Sequence, residues 1–75
     1  MRRFYISSGD VDGIFDAEDP DAALVLAVQE WKAEEPLELA TIMQIVEVTA
    51  EAELEWIDTE TVLAKARIRR QGKPR

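Results

Sequence analysis

The residues best suited to chemistry lie between Ser7 and Pro20, in the segment SSGDVDGIFDAEDP. This segment holds five of the sixteen acidic side chains and two of the three glycines. Closely spaced carboxylates can surround a divalent cation with oxygen ligands, or act as acid and base when burial raises the pKa of one of them. A structural interpretation competes with both, because glycine allows tight turns and aspartate caps helices.

Calcium binding is the first chemistry to test against the residues. The segment resembles the twelve-residue EF-hand loop, with Ser8 at position one, Asp10 at three, Asp12 at five, Gly13 at six, Phe15 at eight and Asp19 at twelve. That loop needs a carboxylate first, a glutamate last and a preceding helix, and MRRFYIS is too short and too β-branched to provide that helix. We therefore expect no metal site and no cofactor. The alternative is a weak calcium module whose ligands would be Asp10, Asp12, Asp16 and Asp19.

Acid–base catalysis would have to use Asp10, Asp12 and Asp16, because the chain contains neither histidine nor cysteine. One of these carboxyl groups would have to lie in a dry pocket that raises its pKa. A 75-residue chain has little room for such a cleft. We expect no catalytic residues and a protein that is not an enzyme.

Composition places the chain among folded globular domains. It has 75 residues, 47% hydrophobic and 33% charged, which suits one compact α+β domain over residues 1–70 and a flexible basic tail over 71–75. The N-terminal MRRFYISSGD lacks the apolar run of a secretory signal, and no segment is long and apolar enough for a transmembrane helix. We expect a cytoplasmic protein without membrane contact.

Charge is distributed unevenly along the chain. Residues 1–64 carry 16 acidic and 3 basic side chains, a net charge of −13, whereas residues 65–75 carry six basic and no acidic ones. The basic end of the chain could bind nucleic acid, although no aromatic residue alternates with its cations for base stacking. The acidic part could instead mimic a polyanion. The basic residues are Lys65, Arg67, Arg69, Arg70, Lys73 and Arg75.

The elements that would position these groups follow from hydrophobic periodicity. Segments 2–7 and 11–17 read as a hairpin that turns at Ser8 and Gly9, with a bulge at Gly13. Residues 37–48 read as a central strand buried on both faces, and 53–58 as an edge strand whose Leu54 and Trp56 point inward. The predicted fold is α+β, a small four-stranded mainly antiparallel sheet with the order β-β-α-β-β-α and one main helix on one face.

Two helices complete the prediction. Asp19 and Pro20 begin a helix over residues 20–33, and Asp58 or Thr59 caps a second one in TETVLAKARIRR, residues 59–70, with Val62, Leu63 and Ala66 as its apolar stripe. The inward stripe of the first helix is expected to be Leu24, Ala27, Val28 and Trp31.

The first helix is apolar beyond its inward stripe, and this excess predicts a partner. Val25 and Leu26 widen its apolar surface, and large aromatic residues such as Trp31 and Trp56 are common both in cores, where these two could touch, and at interfaces. We expect a small non-enzymatic interaction or scaffolding module that self-associates or binds a protein partner. The expected interaction residues are Val25, Leu26, Trp31, Trp56 and Ile57.

Overall fold

The computed structural model describes residues 1–34, 37–49, 51 and 53–68. Four strands and two helices follow one another as β1 (Arg2–Ser8), β2 (Val11–Ala17), α1 (Pro20–Ala33), β3 (Ile42–Glu47), β4 (Leu54–Asp58) and α2 (Thr59–Ala66). The strands form one antiparallel sheet with the spatial order β2-β1-β3-β4. The predicted α+β class and element order are confirmed.

The N-terminal hairpin supplies one half of the core. Phe4 pairs with Phe15, Ile6 with Gly13, and Ser8 with Val11, so these residues share the face that the helices cover. Gly9 and Asp10 form the two-residue turn, and Gly9 has a φ of +59°. The prediction that Ser8 lies in the turn is wrong, because Ser8 ends β1 and pairs with Val11. The predicted bulge at Gly13 is wrong, because pairing between β1 and β2 is continuous from Ser8↔Val11 to Arg2↔Ala17.

Helix α1 has the predicted bounds, and its cap is the predicted one. The Asp19 carboxylate accepts a hydrogen bond from the Ala22 amide at 2.8 Å, and Pro20 occupies the first turn, where no amide donor is needed. Leu24, Ala27 and Val28 are buried, as expected. Ala23 is also fully buried, because the shorter α2 packs beside α1 on the same side of the sheet.

Strand β3 lies inside the sheet, between β1 and β4, as predicted. The expectation that both its faces are buried is wrong. Met43 and Ile45 point into the core, whereas Ile42 on the opposite face is 43% exposed and Gln44 and Val46 are only partly buried. Both helices lie on one side of the sheet, so the other side of β3 is left without cover.

Strand β4 is an edge strand, as predicted, but its facing is the reverse of the prediction. The register pairs Met43 with Ile57, which places Ile57 on the core side. Leu54 and Trp56 consequently point to the uncovered face, where they are 48% and 60% exposed. Alternation alone could not determine which face of β4 points to the core, because β4 carries apolar residues on both of its faces.

Helix α2 is shorter than predicted and ends at Ala66 rather than at residue 70. Asp58 stands at its N-cap position, but its side chain makes no capping hydrogen bond. Val62 and Leu63 are buried, as expected. Arg67 adopts the left-handed conformation, with φ 60° and ψ 39°, and turns the chain out of the helix. The predicted tail, residues 71–75, lies outside the described residues.

Candidate interaction surfaces

The main surface feature is an apolar row that crosses all four strands on the side of the sheet that no helix covers. Tyr5 of β1 pairs with Ile14 of β2 on one side and with Val46 of β3 on the other, and Val46 pairs with Leu54 of β4. Side chains directly opposite one another in antiparallel strands lie about 4.5–5.5 Å apart at Cβ, so these four form a continuous row. We call this set, Ile14, Tyr5, Val46 and Leu54, the open-face row.

The surroundings of the row add more exposed apolar area. Ile14 is 54% exposed, and Trp56, from the next cross-strand row, is the most exposed large aromatic side chain among the described residues. Antiparallel sheets that face water on one side normally carry polar side chains there. The open face departs from that pattern, and exposed apolar patches of this kind mark interaction sites.

Charge on the open face is low and partly neutralised. The Arg3 guanidinium lies 3.0 Å from the Asp16 carboxylate, its cross-strand partner. The neighbouring Asp12 carboxylate, assisted by partial desolvation, raises the pKa of the Tyr5 hydroxyl above its usual value. Most of the acidic side chains among the described residues lie away from this face.

The five predicted interaction residues do not form one surface. Val25 and Leu26 line a shallow apolar groove on the outer side of α1, with Met1, Ala17 and Ala22. Trp31 is half-buried, and its indole N–H donates to the Leu37 carbonyl at 2.8 Å. Trp56 lies on the open face and Ile57 on the core side, so the expected contact between Trp31 and Trp56 is wrong.

The acidic N-terminal segment performs several separate structural roles. Asp10 accepts a hydrogen bond from the Glu38 amide, Asp16 pairs with Arg3, and Asp19 caps α1. The residues that match the EF-hand loop form a turn, a strand and a helix cap, and they do not converge on one point. Among the described residues, no three acidic side chains lie close enough together to hold a metal ion.

The three candidate catalytic carboxylates are all exposed and do not share a pocket. Asp10 and Asp12 border an open hollow of about 200 Å³ beside Phe15 and Trp31. Asp16 lies at the other end of β2, paired with Arg3. None of the three lies in the dry environment that acid–base chemistry at these residues would require.

Two of the six basic residues, Lys65 and Arg67, are among the described residues. The Lys65 ammonium lies 3.0 Å from the Asp21 carboxylate, which ties the end of α2 to the start of α1. Arg67 ends α2 and is exposed. Arg69, Arg70, Lys73 and Arg75 lie outside the described residues. Nucleic-acid binding by this segment therefore stays a prediction.

The sequence patterns did not predict that Tyr5, Ile14 and Val46 belong to a surface row. They predicted that Leu54, the fourth member, points inward. Tyr5 and Ile14 occupy strand positions of opposite parity to the core residues Phe4, Ile6 and Phe15. An apolar residue at these positions was the available signal that the second face is also apolar. The row itself could not be read from the sequence, because its members lie at positions 5, 14, 46 and 54.

The fold and this surface define a small two-layer α+β domain with one face of its sheet uncovered. No family model, curated protein or solved structure matches the chain. None of the helices in the described part of the chain has the length and apolar character required to span a membrane.

Proposed function

We propose that this protein is a non-enzymatic interaction module that pairs with a second copy of itself through the uncovered face of its sheet. The observation that carries the proposal is the open-face row, which brings apolar side chains from all four strands into one line. Packing two such faces against each other would remove both rows from water and form a core about 10 Å thick between the sheets.

The order of residues in the row favours a second copy as the partner. In a symmetric dimer the same patch serves both subunits. With the two-fold axis parallel to the strands and midway between β1 and β3, Ile14 would face Leu54 of the other copy, and Tyr5 would face Val46. An axis along the row would instead bring Asp12 opposite Asp16 of the other copy, which like-charge repulsion disfavours.

Electrostatics permit this contact despite the acidity of the chain. The strand residues of the open face include the charged side chains Arg3, Asp12, Asp16 and Asp58, and Arg3 and Asp16 neutralise each other. The remaining repulsion between two acidic subunits is long-range, and salt screens it. We therefore expect dimerisation to strengthen as ionic strength rises.

The size of the face indicates a reversible dimer. Four strands spaced about 4.8 Å apart and roughly five residues long present a face of about 19 Å by 17 Å. This face is smaller than the roughly 800 Å² per partner of standard stable interfaces. The expected behaviour is a monomer–dimer equilibrium that depends on protein concentration.

The test uses two substitutions that should each prevent the homodimer, whereas a mixture of the two variants should form a heterodimer. Ile14→Lys and Leu54→Glu each place two charges against apolar side chains in the homodimer, so each variant alone should sediment as a monomer. Mixed together, they should form a heterodimer in which the introduced lysine faces the introduced glutamate and the native Leu54 faces the native Ile14. Both positions are about half exposed in the monomer, so folding should be preserved.

The matched control is Leu26→Lys, on the outer side of α1, where Leu26 is 41% exposed. Sedimentation of this variant should match that of the unmodified chain. The proposal fails if the unmodified chain stays monomeric at all concentrations, or if the single open-face variants dimerise as well as the unmodified chain. Loss of the dimer in Leu26→Lys alone would move the interface to α1.

A further inference from the structure

A second surface lies on the opposite side of the molecule, in a groove past the C-terminal end of α2. Helix α2 has eight residues and spans only about 12 Å, whereas α1 has fourteen. The helix side of β3 and β4 is left partly uncovered beyond the end of α2. There, Leu24, Ile45 and Ile57 line a groove of about 430 Å³ together with Asp19, Asp21 and Glu55.

The groove continues into a neighbouring hollow of about 220 Å³, with which it shares Pro20, Ile45 and Glu55. The hollow adds three more carboxylates, those of Glu47, Glu51 and Glu53. We call the two together the acidic groove. Leu24 and Ile45 close its floor and are almost wholly buried, and Ile57 beside them is half-buried. The rim is strongly negative, which suits a ligand that carries several cations.

Half of these carboxylates already have a partner. Asp19 caps α1, Asp21 pairs with Lys65, and Glu47 pairs with Arg2. Among the described residues, Glu51, Glu53 and Glu55 form no ion pair, because Arg2, the cation that lines the same hollow, pairs with Glu47. The acidic groove therefore holds three negative charges that a cationic segment could neutralise.

We infer that the acidic groove binds the chain's own C-terminal segment, residues 69–75. Its sequence RRQGKPR contains four cations and no acid, so its charge is complementary to the groove. The Lys65–Asp21 ion pair places the end of α2 at the rim of the groove, because Asp21 lines it. Ile68, the last described residue, packs against the core rather than leading into solvent.

Length and connection both favour binding within one molecule. Seven residues can reach up to about 25 Å, enough to pass along the groove from the end of α2. A short connection gives the segment an effective concentration in the millimolar range. A segment from a second copy cannot match that concentration in dilute solution, so the chain's own segment occupies the groove.

The experiment uses the absence of cysteine, which makes a single introduced thiol unique. The variant Gln71→Cys carries a nitroxide label and keeps all four cations of the segment. In the full-length, ¹⁵N-labelled chain, the label should broaden the amide signals of Ile45, Glu55 and Ile57. The broadening should be lost at about 1 M salt, where the screening length falls to about 3 Å.

A charge-matched pair of variants distinguishes binding in the groove from a general attraction to the acidic chain. Replacing Glu51, Glu53 and Glu55 together by glutamine should abolish the broadening at the groove. Replacing Glu30, Glu34 and Glu38 by glutamine removes the same charge beyond the other end of the sheet and should leave it intact. The chemical shifts of the core amides report that both variants fold.

Two results would overturn the inference. The first is broadening confined to the residues next to Ile68 and indifferent to both salt and the triple substitution. The second comes from a mixture of nitroxide-labelled ¹⁴N chain with unlabelled ¹⁵N chain, in which only contacts between molecules are visible. Broadening of the groove amides in that mixture, at the strength seen within one chain, would mean that the segment binds a second copy.

Discussion

Asp10 and Glu38 are joined by a reciprocal pair of hydrogen bonds. The Asp10 amide donates to the Glu38 carbonyl at 2.7 Å, and the Glu38 amide donates to the Asp10 carboxylate at 3.0 Å. The buried Ser8 hydroxyl accepts from the Ala40 amide and donates to the Ile42 carbonyl. The polar residues of the N-terminal turn therefore hold the segment that leads from α1 to β3.

Removing the Asp10 carboxylate should loosen that segment. Asp10→Ala leaves the Glu38 amide without its acceptor, and we expect a loss of about 0.5–1 kcal/mol in the free energy of unfolding. Urea denaturation measures this loss in the free energy of unfolding. Glu18→Ala is the control, because the Glu18 side chain makes no hydrogen bond or ion pair among the described residues. Equal stability of the two variants would contradict this role for Asp10.

The turn itself should be sensitive to a single methyl group at Gly9. A Cβ there would collide with the Glu38 carbonyl oxygen and lie 2.8 Å from the Ala40 amide nitrogen, and the φ of +59° already disfavours other residues. We expect Gly9→Ala to lower the free energy of unfolding by at least about 1–2 kcal/mol.

Gly13→Ala is the matched control for Gly9→Ala. At Gly13 the new Cβ would make only ordinary contact, 3.8 Å from the Phe15 ring. Alanine in a strand interior is more favourable than glycine by about 0.5–1 kcal/mol, so this variant should be as stable as the unmodified chain or more stable. Thermal denaturation of both variants tests the contrast, and a Gly9→Ala protein with an unchanged melting temperature would refute it.

The elements that the sequence predicted well are those with local signals. Asp19 and Pro20 specify the start of α1 through cap chemistry and missing amide donors, and Gly9 specifies the turn through its positive φ. The facing of β4 was predicted wrongly, because Leu54 and Trp56 outnumber Ile57 in apolar side chains. Only the pairing of Ile57 with Met43 decides which face is inside.

The candidate surface was less accessible to prediction than the fold. Val46 lies next to Tyr5 only because β3 inserts between β1 and β4, and that strand order is not encoded in any local pattern. The excess of apolar residues suggested a partner, and that reasoning located it on α1 at Val25 and Leu26. The larger excess appears on the open face once the register between distant strands is known.

Acid stability should depend in part on Glu47. The hydrogen bonds from the Arg2 guanidinium, 2.9 Å to each carboxylate oxygen, lower the pKa of Glu47 below its ordinary value of 4.5. The pair stabilises the fold fully above the unfolded pKa, and that stabilisation is lost as pH falls through the lower folded pKa.

The Arg2→Gln variant should return the pKa of Glu47 toward 4.5 and flatten that part of the stability curve. A carboxyl-detected NMR titration measures the pKa directly. Arg3→Gln is the control, because Arg3 pairs with Asp16 on the opposite face and its loss should leave the Glu47 titration unchanged. A Glu47 that titrates at 4.5 in the unmodified chain would show that the pair does not persist in solution.

The C-terminal end of α2 should be improved by glycine at position 67. The Arg67 amide donates to the Ala64 carbonyl at 3.1 Å and the Ile68 amide to the Leu63 carbonyl at 2.9 Å, the two hydrogen bonds of a Schellman motif. That motif requires a left-handed residue, and Arg67 adopts φ 60° with the steric strain of a Cβ. Arg67→Gly should relieve the strain and raise the free energy of unfolding by about 0.5–1 kcal/mol. Arg67→Ala removes the same charge without relieving the backbone, so a gain of equal size in both variants would assign the effect to charge and contradict the strain at Arg67.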